Sequence, residues 1–337
     1  MQRREFLKAA AVAGLAMQGT RPAWAAGINE RYNGLASEQY VSDLKVLAKV
    51  EDRQVFTEGP CCDRAGNVFF TNTRASKILK WDGRELSVFR ENSGAANGLL
   101  FDRQGRLVAC EGSAGRVTRT DMATGKIEVL VDQFDGHPLG APNDLCFDKQ
   151  GRIYFTSRMA ETDTAAKNVH AVYRIDTDGR VARALHAPDI HMPNGIVTSP
   201  DDKTLYLIEA APQADRNRCI LAYDLSADGT PTRARRLIDF YPGRSGDGMA
   251  IDAQGNLYVA AGLHKTRGTS ETLDTRPGIH VISPEGKLLA FLQTPEDTLT
   301  NCRFGGADLK TLYITCGSLL MSLRTTIPGK PLYRPEA

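Results

Sequence analysis

Asp247-Gly-Met-Ala-Ile-Asp252 is one of six similar hexapeptides, and this repeated stretch decides the fold. Each copy opens on a carboxylate or amide side chain, and successive copies begin 39 to 54 residues apart. The other copies are Glu58-Gly-Pro-Cys-Cys-Asp63, Asn97-Gly-Leu-Leu-Phe-Asp102, Asn143-Asp-Leu-Cys-Phe-Asp148, Asn194-Gly-Ile-Val-Thr-Ser199 and Asn301-Cys-Arg-Phe-Gly-Gly306. A period of this size suits a blade of about four strands. The repeat therefore predicts six blades arranged in a ring.

A turn and then an apolar strand follow each hexapeptide. The turns are rich in Gly, Asp and Asn, which suit tight hairpins, and the strands are rich in β-branched and aromatic residues. Examples are Asn67-Val-Phe-Phe-Thr71, Arg152-Ile-Tyr-Phe-Thr156 and Asn256-Leu-Tyr-Val-Ala260. The fold class predicted is all-β, a six-bladed β-propeller with four-stranded blades.

The last copy leaves room for only about three strands before a proline-rich tail begins at Pro328. Residues 43–56 are the remaining strand candidate, and an unpaired edge would leave the ring open. We expect this N-terminal strand to complete the sixth blade. The predicted division is an extension over 26–42, the propeller over 43–327 and a tail over 328–337.

The N-terminus has the pattern of an export signal. Arg3-Arg4 precedes a short apolar run over 9–17 and the small-residue site Ala23-Trp24-Ala25. A paired arginine in this setting is typical of a twin-arginine signal. We predict that residues 1–25 are cleaved, that the precursor engages the twin-arginine export machinery and that the mature protein is periplasmic.

Charge and cysteine content exclude several other functions. Residues 1–25 carry four basic side chains and one acidic, so their removal takes the formal charge from +2 to −1. This balance argues against binding to nucleic acid or, after cleavage, to a membrane. Seven cysteines leave at least one thiol free, and their spacings match no zinc framework. Cys302 and Cys316 could face each other on neighbouring strands of one blade and form a disulfide.

The first residues of the six copies point to a metal site. Equivalent positions on innermost strands lie on a ring, which would gather six oxygen-bearing side chains at one mouth of the channel. Carboxylate and amide oxygens suit a hard divalent cation, and two carboxylates would offset its charge. The alternative is that Asn-Gly and Asp-Gly merely form turns. The ring positions are Glu58, Asn97, Asn143, Asn194, Asp247 and Asn301.

In this order the repeated motifs resemble those of the gluconolactonase, regucalcin and luciferin-regenerating enzyme family, over roughly residues 50–320. The resemblance implies a divalent-metal-dependent hydrolase that opens lactones, with Ca²⁺ expected and Zn²⁺, Mn²⁺ or Mg²⁺ as alternatives. It implies the metal ligands Glu58, Asn194 and Asp247. Asn143 would be a fourth ligand or a substrate contact, while Asn97 and Asn301 would line the pocket.

Hydrolysis of a metal-bound lactone needs a base that takes a proton from water. Asp144 and Asp247 are the two candidates, and Asp144 is preferred because a metal would reduce the basicity of Asp247. His191 lies three residues before Asn194 and could contact substrate. Arg216 and Arg218 either overhang the pocket or belong to a solvated loop.

Two departures from the family pattern bear on the substrate. Ala141 stands where sugar-lactone members often have an arginine, and 111–116 replaces a segment that commonly contains histidine. Both changes weaken the expectation of an aldonolactone but leave the metal set intact. The rival function is a non-enzymatic propeller that binds a ligand or a protein around a structural metal.

The export signal makes the first testable prediction. In a bacterial host the periplasmic protein should begin at Ala26, and the double change Arg3→Lys with Arg4→Lys should retain the precursor in the cytoplasm. Cell fractionation followed by N-terminal sequencing measures both. Periplasmic protein that keeps Met1 would contradict the assignment.

Overall fold

The computed structural model describes residues 30–159 and 168–331. Within them the chain forms 26 β-strands and two short 3-10 helices, Glu30–Tyr32 and Ser37–Gln39, with no α-helix. None of its helices is long and apolar enough to cross a membrane. The predicted signal peptide and residues 332–337 of the predicted tail lie outside the described residues.

Six four-stranded antiparallel sheets form the blades, which confirms the predicted propeller. In blades one to five the first strand of each sheet is innermost and the others follow outward in chain order. Blades one and two hold β2 (Thr57–Cys62), β3 (Val68–Asn72), β4 (Lys77–Trp81), β5 (Leu86–Arg90), β6 (Ala96–Phe101), β7 (Leu107–Glu111), β8 (Arg116–Thr120) and β9 (Ile127–Val131). A two-stranded hairpin, β10 (Gln133–Phe134) and β11 (His137–Pro138), leads to blade three.

The other three blades of this kind repeat the pattern. They hold β12 (Ala141–Phe147), β13 (Ile153–Arg158), β14 (Ala171–Ile175), β15 (Val181–His186), β16 (Pro193–Thr198), β17 (Thr204–Ala210), β18 (Arg218–Leu225), β19 (Pro231–Asp239), β20 (Gly246–Ile251), β21 (Leu257–Ala261), β22 (Gly278–Ile282) and β23 (Leu288–Gln293). Each inner strand packs against the inner strands of the two neighbouring blades, so the ring is closed.

Blade six joins the two ends of the propeller. Its inner strands β24 (Leu299–Gly305), β25 (Thr311–Cys316) and β26 (Leu319–Thr325) come from the end of the chain, and β1 (Val41–Lys49) pairs with β26 as the outer strand. The expected N-terminal closing strand is confirmed. It begins and ends earlier than the expected 43–56.

The aspartate that ends most hexapeptides closes the hairpin to the next strand. Asp102 Oδ1 accepts hydrogen bonds from the backbone N–H groups of Gln104 and Arg106, at 3.0 and 2.9 Å. Asp148 and Asp252 make the same pair of contacts in their own blades. A side-chain carboxylate that holds the backbone in this way stabilises a tight turn.

A β-bulge interrupts each inner strand near the first position of its hexapeptide. Asn97, Asn143, Asn194 and Asp247 lie inside the bulges, between residues that pair in register, and Glu58 and Asn301 lie beside theirs. A bulge turns a side chain out of the regular alternation of a strand and is common next to functional sites. The bulges thus set the direction of the ring side chains.

The second position of the hexapeptide is usually glycine because neighbouring inner strands pack closely there. A Cβ on Gly98 would collide with Asn143 and Asp144 of the next inner strand, and one on Gly248 would collide with the Asn301 side chain. Gly59 and Gly195 face the following inner strand in the same way. Close backbone approach, and not only turn formation, therefore requires glycine here.

The described cysteines are all reduced and serve as packing residues. Cys302 lies opposite Ile314, and Cys316 lies opposite Leu299. Because the two occupy different rungs of the β24–β25 ladder, the suggested Cys302–Cys316 disulfide is wrong. Their thiols instead donate to the carbonyls of Tyr258 and Glu296, both at 3.1 Å.

The contact between the first and last blades can be tested by mutation. Leu320 on β26 is fully buried and packs with Val68, Phe70 and Leu79 of blade one. Leu320→Ala should lower the free energy of unfolding by about 2–5 kcal/mol, because it removes buried methyl groups and leaves a cavity. Urea denaturation measures the loss. The control Val46→Ala, at a position on β1 that is 55% exposed, should change it by about 0.5 kcal/mol or less; equal effects would contradict this role.

Candidate functional site

The six ring positions lie together at one mouth of the central channel, where each inner strand enters its blade. Five of them are buried, and Asn97 is half-buried. A hydrogen bond between blades joins Asn194 to Asp247, and another joins Asn301 to Asp144. The Asn97 oxygen, in contrast, has no hydrogen-bond partner among the described residues. The mouth therefore holds a cluster of largely buried polar side chains.

Asp247 is held from two sides. Its Oδ1 accepts a hydrogen bond from the Asn194 amide at 2.6 Å, and its Oδ2 accepts one from the Arg244 guanidinium at 2.5 Å. Arg244 is itself anchored on the carbonyl of Leu299 at 2.9 Å. The carboxylate of blade five is thus fixed between the amide of blade four and a buried cation.

Glu58 is a buried carboxyl with few donors. Its side chain is 3% exposed, and its only hydrogen bond among the described residues comes from the N–H of Gly59 at 3.2 Å. Burial raises the pKa of Glu58 well above its usual range, and the nearby carboxyls of Asp247 and Asp144 raise it further. Without a cation between them, the neighbouring carboxyls of Asp247 and Asp144 oppose the ionisation of Glu58.

Asp144 is the deepest of the three carboxyls. Its Oδ1 accepts from the Leu145 N–H at 2.8 Å and its Oδ2 from the Asn301 amide at 3.3 Å. Burial raises the pKa of Asp144, while the Arg303 guanidinium, 3.6 Å from Oδ1, opposes that rise. The carboxyl therefore has a fixed orientation and a raised basicity.

Two ring amides have unused polar atoms. The buried Oδ1 of Asn97 has no hydrogen-bond partner, and the described residues give the Asn143 side chain none either. Buried polar atoms are normally satisfied, so such atoms at a channel mouth are available to a ligand. No group of three or more His, Cys, Asp or Glu among the described residues is arranged to hold a metal; the predicted set combines two carboxylates with two amides.

Comparison with known proteins decides the family. Residues 56–318 match the model of the SMP-30/Gluconolactonase/LRE-like region. The chain belongs to this family. It is 29% identical to the gluconolactonase of Zymomonas mobilis over 303 residues, which cover 81% of this chain and 80% of that relative.

Solved structures of family members have the same architecture. A gluconolactonase from Xanthomonas campestris is 28% identical, with a TM-score of 0.70 over 84% of this chain and 89% of that one. A calcium-binding regucalcin from Agrobacterium tumefaciens is 20% identical, with a TM-score of 0.65 over 86% of this chain and 97% of that one. At that identity the second likeness concerns the fold alone.

Three arginines at the site were not found from the sequence. Arg158 interacts electrostatically with Glu58 and Asp247, Arg244 pairs with Asp247, and Arg303 lies beside Asp144. Arg244 and Arg303 could have been suspected from their positions three residues before Asp247 and two after Asn301. No motif in the neighbouring sequence indicates a role for Arg158, which lies on the second strand of blade three.

Arg158 and Ala141 are register partners on β13 and β12. Side chains of paired residues lie on the same face of a sheet. The position where sugar-lactone members of the gluconolactonase family often have an arginine is therefore faced by an arginine from the next strand. Burial lowers the pKa of Arg158, whereas Asp247 and Glu58 act in the opposite direction.

Other predicted contacts have different partners. His191 Nδ1 accepts from the backbone N–H of Asn217 at 3.1 Å, so this ring supports a loop of its own blade, and contact with substrate stays a prediction. Arg218 neither overhangs the pocket nor lies in a solvated loop: it is buried in β18 and donates to the carbonyls of Ala211 and Pro242 at 2.9 and 2.7 Å. Arg216 is exposed.

The segment that departs from the family pattern has a structural role. Glu111 is fully buried and forms ion pairs with Arg90 and Arg116, at 2.8 and 2.7 Å. Thr118 donates to the same carboxylate at 2.7 Å. Segment 111–116 thereby contributes the buried Glu111 carboxylate, whose ion pairs and hydrogen bond stabilise this end of blade two.

Glu209 allows a pH-dependent test of the region beside Asn194. It is fully buried, it accepts the His191 N–H at 2.6 Å, and burial raises its pKa from 4.5 to about 7. The folded protein thus binds this proton more tightly than the unfolded chain, so the stabilisation is complete below pH 4.5 and is lost as the pH rises through 7.

Glu209→Gln should therefore remove this loss. At pH 8 we expect the variant to be more stable than the parent by up to about 3 kcal/mol, and at pH 4.5 we expect little difference. Denaturant unfolding at both pH values measures it, with the exposed Glu91→Gln as a control. A difference that does not grow with pH would contradict a raised pKa.

Proposed function

We propose that the protein is a divalent-metal-dependent lactonase that opens a cyclic ester at the ring mouth. The observation that carries the proposal is the group of three buried carboxyls, Glu58, Asp144 and Asp247, brought from three blades close enough to interact. Family membership supports the same reaction class, since the relatives compared above include gluconolactonases.

A cation fits the residues present. Glu58 is an almost unexposed carboxyl with one backbone donor, and Asn143 offers an amide with no partner among the described residues. Glu58, Asn143, Asn194 and Asp247 would hold the ion, most simply Ca²⁺, with Zn²⁺, Mn²⁺ or Mg²⁺ as alternatives. When bound, it would polarise the lactone carbonyl as a Lewis acid.

Asp144 is the preferred base for the attacking water. Its carboxylate is oriented by the Leu145 N–H and the Asn301 amide, and burial raises its pKa, which strengthens it as a base. Asp247 is the alternative base. It is less suited because Arg244 forms a direct ion pair with it at 2.5 Å, whereas Arg303 lies 3.6 Å from Asp144.

The remaining mouth residues would position the substrate. The unpartnered Asn97 oxygen can accept from a hydroxyl group of the lactone, and Asn301 can contribute only where its amide is not held by Asp144. Arg158, opposite Ala141, supplies a guanidinium from β13 that can donate to ring or carbonyl oxygens. The twin-arginine motif supports a periplasmic location for this reaction.

The proposal is tested by metal removal and by substitution of the base. Treatment with EDTA should abolish hydrolysis of a lactone panel, and calcium, manganese or zinc should restore it. In metal-replete protein Asp144→Asn should lower kcat by about 10²- to 10⁴-fold, the usual contribution of a general base. Turnover is measured by the acid released.

Asp252→Asn is the matched control, because the Asp252 side chain is fully buried at the other end of β20, where it accepts hydrogen bonds from Gln254 and Asn256 of its own turn. This variant should keep the turnover of the parent. Undiminished turnover in Asp144→Asn would remove Asp144 from the mechanism. If metal-replete protein turned over no lactone, aryl ester or organophosphate, the rival function, a binding propeller with a structural metal, would be favoured.

A further inference from the structure

A cavity lies at the mouth of the channel that is opposite to the ring side chains. Its volume is about 890 Å³, and its lining comes from the far ends of the inner strands and the hairpin turns that follow them. The ring carboxyls and amides belong to the near ends of the same strands. Cavities of roughly 300–1,000 Å³ are typical of small-molecule sites.

Apolar side chains form most of the wall. Phe101, Phe147 and Phe304 contribute three aromatic rings, and Val197 and Ile251 lie between them. These side chains belong to blades two, three, six, four and five, so the wall surrounds the channel axis. Such a lining suits a ligand with an apolar body.

Arg303 brings one directed polar group to this wall. It is 7% exposed, and its Nη2 donates to the Leu145 carbonyl at 3.4 Å and lies 3.6 Å from Asp144 Oδ1. Its Nε–H is shielded from solvent and has no acceptor among the described residues, so a ligand reaches it when the Arg303 side chain rotates towards the cavity. A buried donor left unsatisfied is costly, and an acceptor brought by a ligand would relieve that cost.

Most other charged side chains around the cavity have partners, and the exposed Arg64 donates to the Arg103 carbonyl at 2.6 Å. Asp102 pairs with Arg106 at 2.7 Å, and Lys330 pairs with Asp202 at 2.8 Å. Asp63 accepts from the Asn67 side chain at 2.6 Å. Since Asp144 already offsets Arg303, an added anion would be repelled by that carboxylate, whereas a neutral acceptor would not.

We propose that the opposite mouth is a second ligand site for a neutral, largely apolar small molecule, a ketone or an ester, whose carbonyl oxygen accepts a hydrogen bond from Arg303 Nε. The site uses none of the residues assigned to the metal. It shares Arg303 with the surroundings of the proposed base Asp144, but binding there does not require the lactonase function.

Three matched probes test the ligand class by isothermal titration and ligand-observed NMR. Acetophenone carries the carbonyl, ethylbenzene lacks it, and benzoate replaces it with an anion. Acetophenone should bind saturably and about tenfold or more tighter than the other two, as expected for a hydrogen bond to a charged donor. Tighter binding of benzoate, or no saturable binding of acetophenone, would overturn the proposal.

Variants test the location. Arg303→Lys keeps a cation beside Asp144 but removes the Nε–H, so acetophenone should then bind no better than ethylbenzene. Val197→Phe narrows the cavity without touching Arg303 and should weaken both aromatic probes. Asp247→Asn, at the ring mouth, should leave binding unchanged. Binding that survives the first two variants, or that is lost in the third, would place the ligand elsewhere.

A shortened chain tests occupancy by the protein itself. The described chain ends at Pro331, next to Lys330 on the cavity rim. A variant that stops after Pro331 should bind acetophenone with the same affinity as the full chain. If only the shortened chain binds, the cavity belongs to the chain's own end and the proposal fails.

Discussion

Six inner strands lie in close contact around one axis, and this contact positions both the blades and the functional side chains. Glycine at the second position of the hexapeptide lets each strand approach the next, as Gly98 does against Asp144 and Gly248 against Asn301. That approach gathers the first-position side chains into one cluster. In blade three Asp144 replaces this glycine, and its side chain reaches Asn301 and Arg303 of blade six, which makes it a candidate catalytic group.

Electrostatics at the mouth follow from this crowding. The carboxyls of Asp144 and Asp247 add to the raised pKa of Glu58, and three arginines lie close enough to offset part of the negative charge. The compensation is uneven, because Asp247 has a direct ion pair, Asp144 a looser one, and Glu58 one backbone donor. Glu58 is therefore the proposed ligand whose protonation should compete most strongly with a bound cation.

Much of the architecture was predictable from the sequence, because its signals are local. The hexapeptide carries both the turn aspartate and the channel residue, so six copies gave six blades, and the missing strand pointed to the N-terminal segment. The arginines were missed because their roles depend on pairing between strands. Arg158 matters only because β13 places it opposite Ala141. The cysteine suggestion failed for a related reason, since the register of the ladder cannot be read from strand order.

The closing strand has a consequence for biosynthesis. Val41 pairs with Thr325, so the outermost strand of the last blade is made first and its partner is made last. Throughout translation β1 remains an unpaired edge, able to pair with the wrong strand or with another chain. A chain that stops before β26 leaves the ring unclosed and exposes β1 as an edge strand.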